Sequence, residues 1–159
     1  MRKILLAAIF LLSTVVLSCN KKDDPIDQPL SENSWRIGST IYKTRVCHRH
    51  LYEQGSIAFE DTVTNSGMCQ LYFLFPAIPV TSGTYKVTGK DTPAAGEVRV
   101  TAITSSNGLD NYYMFSDPTG VTVTVTVNGG KIHLSIPETE INKGTSSDKV
   151  KFAVLAGEL

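Results

Sequence analysis

The densest group of side chains capable of chemistry in this sequence is the run Cys47-His48-Arg49-His50. Alternate residues of an extended strand point to the same side, so His48 and His50 would together offer two imidazoles to a transition metal. The sequence defines no third ligand beside them. We therefore interpret the run as the exposed polar end of a strand, and we expect no metal and no other cofactor.

Sequence motifs of the common hydrolases and nucleotide-binding enzymes are absent. There is no Gly-x-Ser-x-Gly, no His-Glu-x-x-His and no glycine-rich phosphate loop. Glu138 and Glu140 could act as paired carboxylates on one side of an extended segment, but a solvated strand end explains them more simply. Glu60 and Asp61 are adjacent and would point apart in a strand. We expect no enzymatic activity, and a hydrolase with an unrecognised site ranks third among the functions considered.

A group of aromatic residues suggests binding instead. Tyr112, Tyr113 and Phe115 could line a platform for a carbohydrate or a peptide. Aromatic side chains also bury large apolar areas, so packing in a core is their more common use. We expect at least half of these three side chains to lie in the core.

The beginning of the chain has the pattern of an export signal. Arg2 and Lys3 precede an uncharged apolar run at residues 4–17, which is followed by Ser18 and Cys19. Positive charge followed by such a run is typical of a signal peptide. The run is shorter than the roughly 20 residues that a membrane-spanning helix needs. Residues 1–18 are therefore expected to be a signal peptide that is cleaved off.

The residues around the expected cleavage point resemble the lipobox of bacterial lipoproteins. In Val16-Leu17-Ser18-Cys19, the branched residue, the serine and the cysteine match that motif, while Leu17 stands where it has a small residue. The resemblance implies that Cys19 carries lipid and becomes the first residue of the mature protein. An ordinary secretory signal followed by a chance cysteine is the alternative. Two or more acyl chains would hold the protein stably in a membrane.

Residues 19–33 are polar and contain two prolines, so they are expected to form a flexible tether behind the lipidated cysteine. Within them, the segment from Lys21 to Asp24 is similar to the signal that sends lipoproteins of the Bacteroidota to the outer face of the outer membrane. This resemblance implies a lipid-anchored protein at the cell surface. The alternatives are a solvated linker without a sorting role and a location on the periplasmic face.

The remainder, residues 34–159, is expected to be a single all-β domain. Removing residues 1–18 leaves 13 basic against 15 acidic residues, a formal charge of −2, so no basic surface for nucleic acid is indicated. Short β-rich runs, one of them at residues 40–45, are separated by turn residues every eight to twelve positions. This spacing predicts an antiparallel β-sandwich of roughly 8–10 short strands, with an open barrel as the alternative.

The clearest hairpin lies between Val121 and Ile136. A type I′ turn at Asn128-Gly129 would place Val125 opposite Ile132, so that every pair on one face is apolar. The buried face is then expected to hold Val121, Val123, Val125, Ile132, Leu134 and Ile136. The solvent face is expected to hold Thr122, Thr124, Thr126 and His133.

The two remaining cysteines, Cys47 and Cys69, form an even pair once Cys19 is lipidated. In an oxidising compartment a small domain often uses one such bridge for stability. We therefore predict a disulfide between Cys47 and Cys69, with two buried free thiols as the alternative.

Several strand-and-turn segments are together similar to a group of small Bacteroidota lipoproteins of uncharacterised function. These segments are residues 35–42, 83–87, 96–100 and 125–132, followed by Ile136-Pro137. The group implies no catalytic residues. The favoured function is a membrane-anchored, non-catalytic binding module for a polysaccharide, a peptide or another envelope protein, because β-domains present loops and faces without a buried polar site. The second is a structural accessory subunit of an envelope complex.

Lipidation at Cys19 can be tested directly. Mass spectrometry of the membrane-extracted protein should show an acylated peptide that begins at Cys19, since the signal peptide is removed before that residue. An unmodified mature N-terminus elsewhere, with the protein in the soluble fraction, would contradict the prediction.

Overall fold

The structure, a computed structural model, describes residues 28–63, 67–106, 108–115 and 120–159. These residues form an all-β fold. The strands are β1 (Ser34–Ile37), β2 (Thr40–Lys43), β3 (Val46–Arg49), β4 (Ser56–Val63), β5 (Gly67–Leu74), β6 (Gly83–Val87), β7 (Glu97–Ser106), β8 (Leu109–Met114), β9 (Thr122–Asn128), β10 (Lys131–Lys143) and β11 (Lys149–Gly157). Within these ranges no helix has the length and apolar character needed to cross a membrane.

Hydrogen bonds join the eleven described strands into one sheet, in the order β2-β1-β11-β10-β9-β6-β7-β5-β4-β3. β8 lies off this path and pairs with both β7 and β10, so β7, β6, β9, β10 and β8 form a closed circuit. The pairing is antiparallel except between β6 and β7. The prediction of an antiparallel fold was therefore wrong for the pair β6 and β7. Residues 88–96 form the longer connection that parallel neighbours require.

The strand count exceeds the expected 8–10 because the run at residues 40–45 does not form one strand. The chain turns a corner between β2 and β3, where the Thr44 N–H donates to the Asn33 carbonyl at 2.7 Å. Beyond the corner, the Arg45 N–H donates to the Glu60 carbonyl at 2.8 Å, and β3 then pairs with β4. One stretch of sequence thus supplies strands at both ends of the sheet.

The core is formed mainly by side chains on the inner face of the sheet. Trp35, Phe59, Phe73, Phe75 and Phe152 are fully buried. The Phe73 ring meets Phe59 edge-on, with centroids 6.1 Å apart, and stacks with Phe75 at 6.4 Å. Both arrangements are favoured between aromatic rings, so the centre of the core has defined packing.

The β9–β10 hairpin has the predicted faces but a different turn. Among the residues predicted to be buried, Val121 is half-buried and the others are buried, while the three threonines and His133 are exposed. The turn is Gly129-Gly130, with φ of 57° and 77°, and Val125 pairs with Leu134 instead of Ile132. Glycine adopts the positive φ of a type I′ turn without steric strain, so two glycines displace Asn128 into the strand. The register was wrong by two positions, which keeps every side chain on its predicted face.

Replacing residues on the two faces of β9 should have unequal effects. Val123→Ala should lower the free energy of unfolding by about 1 to 3 kcal/mol, because it removes two methyl groups from a packed core. Thr124→Ala, on the exposed face, should change it by at most about 0.5 kcal/mol. Denaturant unfolding measures both values. A larger loss for the threonine variant would contradict the assignment of faces.

Candidate ligand-binding groove

The two histidines considered as metal ligands do not share one side of a strand. β3 ends at Arg49, and His50 has a left-handed φ of 56° that breaks the alternation. His48 Nε2 lies 3.9 Å from Glu60, whereas His50 Nδ1 accepts a hydrogen bond from the Gly55 N–H at 3.2 Å. The predicted common orientation was therefore wrong. Among the residues that the structure describes, no three His, Cys, Asp or Glu side chains are grouped to hold a metal ion.

Cys47 and Cys69 are free thiols, so the predicted disulfide is not formed. They lie on β3 and β5, which are separated by β4. Two strand spacings amount to about 10 Å, which exceeds the roughly 7 Å between Cα atoms that a disulfide can span. Burial raises the pKa of each thiol to about 12, because a thiolate would lose its hydration in the domain interior.

The carboxylates considered as a catalytic pair are both engaged with cations. Glu138 accepts a hydrogen bond from Arg36 Nη2 at 2.6 Å, and its other oxygen lies 3.0 Å from Lys151 Nζ. Glu140 lies 3.6 Å from Lys149 Nζ. These contacts compensate the carboxylate charges and give the two side chains separate partners.

A buried carboxylate for which the sequence predicted no structural role holds the corner between β2 and β3. Asp61, which is 5% exposed, accepts hydrogen bonds from the Lys43 N–H at 2.9 Å and from Arg45 Nε at 2.8 Å. The signal was its position on β4, two residues after the buried Phe59 and on the same face. A buried carboxylate needs such donors, so Asp61 has a structural role at this corner.

On the outer face of the sheet, β5, β7 and β8 form an open groove of about 280 Å³. We call it the tyrosine groove. Its residues are Tyr52, Glu53, Gln70, Tyr72, Arg99, Thr101, Ile103, Tyr112 and Met114. The strand register places Tyr72, Thr101 and Met114 in one row and Gln70, Ile103 and Tyr112 in the next. Successive side chains of a strand point to opposite faces of the sheet. The residues before and after these positions fill the core, so these side chains face away from it.

The wall of the groove opposite β8 comes from the loop between β3 and β4. The Tyr52 ring lies over Tyr72 with centroids 6.0 Å apart and planes inclined at 50°. Tyr52 is 67% exposed and Tyr112, across the groove, is 47% exposed. Large exposed aromatic rings around one depression are a common feature of binding sites.

The loop that carries Tyr52 is fixed at both ends. His50 closes it through the bond to the Gly55 N–H, and the Ser56 hydroxyl donates to the Glu53 carbonyl at 2.8 Å. Gly55 has a φ of 87°, and a Cβ there would collide with the Phe75 carbonyl oxygen. Only glycine suits this position. His50 is thus a positioning residue for the groove.

Gln70 and Tyr72, two polar residues of the groove, differ in their hydrogen bonding. The Gln70 side chain, 1% exposed, donates from Nε2 to Glu60 at 2.7 Å. The Tyr72 hydroxyl is buried and makes no hydrogen bond of favourable geometry, although the Ser56 hydroxyl lies near it. Burial raises the pKa of Tyr72, and Ser56 partly opposes this effect. The Gln70 side chain and the Tyr72 hydroxyl thus both lie beneath the surface of the groove.

The predicted aromatic platform is divided between core and groove. Phe115 is buried, Tyr113 packs against the core, and Tyr112 alone joins the groove. The expectation that at least half of the three lie in the core is confirmed. Tyr52 and Tyr72 were missed, although the position of Tyr72 between the apolar residues Leu71 and Phe73 was a usable signal for a strand face turned outward.

A second depression, of about 540 Å³, lies beside β3, and we call it the β3 cleft. Arg49 crosses it, with Nε and Nη2 each 2.6 Å from a carboxylate oxygen of Glu158. Burial by itself would raise the pKa of Glu158, but hydrogen bonds from Arg49 and the Ile132 N–H outweigh it and lower the pKa. The cleft is thus spanned by a compensated ion pair.

Comparison with known proteins supplies no relative whose function could be carried over. No protein-family model, no curated protein and no solved structure matches the chain. The predicted signal peptide, residues 1–18, and the predicted lipidation site, Cys19, lie outside the described residues. The tyrosine groove is accordingly interpreted from its own geometry.

Gly55→Ala tests how firmly the fold holds the Tyr52 loop. Gly96→Ala is the matched control, because Gly96 also has a positive φ, of 78°, but no atom within 4 Å of an added Cβ. The control should lose about 1 to 2 kcal/mol of unfolding free energy from backbone strain alone. Gly55→Ala should lose at least about 1 kcal/mol more because of the collision with Phe75. Equal losses of unfolding free energy in the two variants, measured by denaturant unfolding, would show that the loop moves to accommodate the added methyl group.

Proposed function

We propose that this protein is a lipoprotein, anchored in the outer membrane through Cys19 and displayed at the cell surface, whose all-β domain is a non-catalytic binding module. The tyrosine groove is the observation that carries the binding role. It gathers the exposed rings of Tyr52 and Tyr112 around one depression on the outer face of the sheet. Aromatic rings of this kind provide large contact areas at low conformational entropy cost.

The location is supported by the sequence at the start of the chain. The lipobox-like stretch before Cys19 and the acidic residues Asp23 and Asp24 after it favour an anchored protein on the outer face. A lipoprotein on the periplasmic face is the alternative. Residues 28–33 follow that segment, and the Gln28 carbonyl accepts a hydrogen bond from Arg36 at 3.0 Å. The end of the proposed tether would therefore rest against the domain.

For the finer architecture we favour the barrel over the sandwich. A sandwich consists of two sheets with separate edges, whereas here β8 pairs with both β7 and β10. The circuit of β7, β6, β9, β10 and β8 gives each of these strands a partner on both sides, while β2 and β3 remain at the two ends of the sheet. β7 belongs to this circuit and would give the floor of the groove a firm support on that side.

An accessory subunit that assembles through β3 is the second candidate. Among the described strands β3 pairs with β4 alone, so the backbone groups of Cys47 and Arg49 lie on an edge without a partner strand there, beside the β3 cleft. Such an edge can accept a strand from a partner. The Arg49–Glu158 ion pair spans the same cleft and would have to open, so we rank this candidate below the binding module. A hydrolase ranks third.

The proposal is tested by the binding of the detergent-purified, fluorescently labelled protein to the envelope fraction of cells that make it. Tyr52→Ala and Tyr112→Ala should each weaken binding about tenfold, as removal of a central aromatic contact does. Val80→Ala is the control, since Val80 is 82% exposed and does not line the groove. Co-sedimentation gives the isotherms.

Two outcomes would contradict the proposal. Envelope binding that is unchanged in both tyrosine variants would show that the groove is not the binding face. Weakened binding only after Arg49→Ala, with the tyrosine variants unaffected, would favour assembly through β3 instead.

A further inference from the structure

We propose that the ligand of the tyrosine groove is an uncharged saccharide chain. This inference rests on the proposed function of the domain as a binding module and names the chemical class that the module recognises. It follows from four properties of the groove: the absence of free backbone groups on its floor, the separation of its rings, its charge, and its polar atoms.

The floor of the groove offers side chains only. β5 is paired with β4 on one side and β7 on the other, and β7 is paired with β5 and β8 around Thr101. A peptide that binds by adding a strand needs a free strand edge. Since this floor has none, strand addition is not open to a peptide here. A ligand must instead bind through stacking and hydrogen bonds to side chains.

The rings are separated by more than one sugar unit. Tyr72 and Tyr112 lie on strands two positions apart, which corresponds to about 10 Å across the sheet. The apolar C–H face of a pyranose ring stacks on an aromatic ring, and 10 Å is longer than one such ring. The corner formed by Tyr52 and Tyr72 would hold one unit and Tyr112 another. The groove is open rather than enclosed, which suits a segment of a chain.

The charge of the groove favours an uncharged ligand. Its charged side chains are Arg99 and Glu53, one of each sign. Arg99 Nη1 lies 3.0 Å from Asp91, so the cation is already compensated from outside the groove. An acidic polymer would meet Glu53 and Asp91 without a free cation, and like charges repel. A neutral polymer meets no such penalty.

The polar atoms complete the match to a sugar. Every hydroxyl of a saccharide both donates and accepts hydrogen bonds, and the residues that line the groove carry groups of both kinds at Gln70, Thr101 and Tyr72. A saccharide carries hydroxyl groups around apolar ring faces, and the groove likewise combines aromatic rings with polar side chains.

The experiment is affinity electrophoresis of the detergent-purified protein in native gels that contain glucan, mannan, xylan or galactan, with polygalacturonate as an acidic comparator. At least one neutral polymer should retard the protein, and polygalacturonate should not. Tyr52→Ala and Tyr112→Ala should each raise the apparent dissociation constant about five- to tenfold. Leu109→Ala, exposed on the same strand as Tyr112 but outside the groove, should retain the affinity of the unaltered protein.

Circular dichroism of each variant confirms that it is folded before its mobility is interpreted. Retardation that does not depend on the two tyrosines would overturn the assignment of the site. Retardation only by polygalacturonate would overturn the neutral class. If no polysaccharide retards the protein but a peptide library binds in a Tyr52-dependent way, the saccharide inference fails while the binding module stands. If neither a polysaccharide nor a peptide binds, the proposed binding module is overturned as well.

Discussion

Strand β8 is hydrogen-bonded on both edges, to β7 along its length and to β10 at Met114 and Tyr113. The rest of the structure depends on this double pairing, because it joins two distant parts of the sheet into a circuit. It also fixes the orientation of β8 itself, so that Tyr113 packs against the core and Tyr112 faces outward. The same backbone bonds that close the fold therefore set one wall of the tyrosine groove.

Polar side chains hold the places where the chain leaves this regular pairing. At the corner between β2 and β3, Asp61 accepts hydrogen bonds from the N–H of Lys43 and the side chain of Arg45. Arg49 and Glu158 bridge the unpaired edge of β3 to the end of β11. Buried or half-buried charges are stable only when paired and hydrogen-bonded, and each of these has its partner. These contacts fix the corner between β2 and β3 and tie β3 to the end of the chain beyond β11.

Much of the fold could be predicted because alternation along a strand is a local property of the sequence. The faces of β9 and β10 were predicted correctly even though Val125 pairs with Leu134 and not with Ile132, since a shift of two residues preserves both faces. The turn itself could not be fixed, because Asn128-Gly129 and Gly129-Gly130 both satisfy a type I′ turn. The order of the strands in the sheet also could not be predicted from local sequence patterns. The predicted Cys47–Cys69 bridge failed because nothing in the sequence shows that β4 separates the two strands.

The groove was only partly predictable for the same reason. Tyr112 was recognised as a candidate from its aromatic neighbours, but Tyr72 is distant in sequence and Tyr52 lies in a loop whose shape depends on Gly55 and His50. Strand order brings these residues together. A binding face that consists of side chains from separate strands becomes visible only once the tertiary pairing is known.

The proposed binding role requires that a ligand contacts the outer face of β5, β7 and β8. This contact can be followed by NMR during titration of the isotopically labelled protein with a soluble neutral oligosaccharide. We expect shift changes in the ring signals of Tyr52, Tyr72 and Tyr112 that saturate together, with Arg49 and Glu158 unaffected. Saturable changes confined to the β3 cleft, with the three tyrosine rings unchanged, would contradict it.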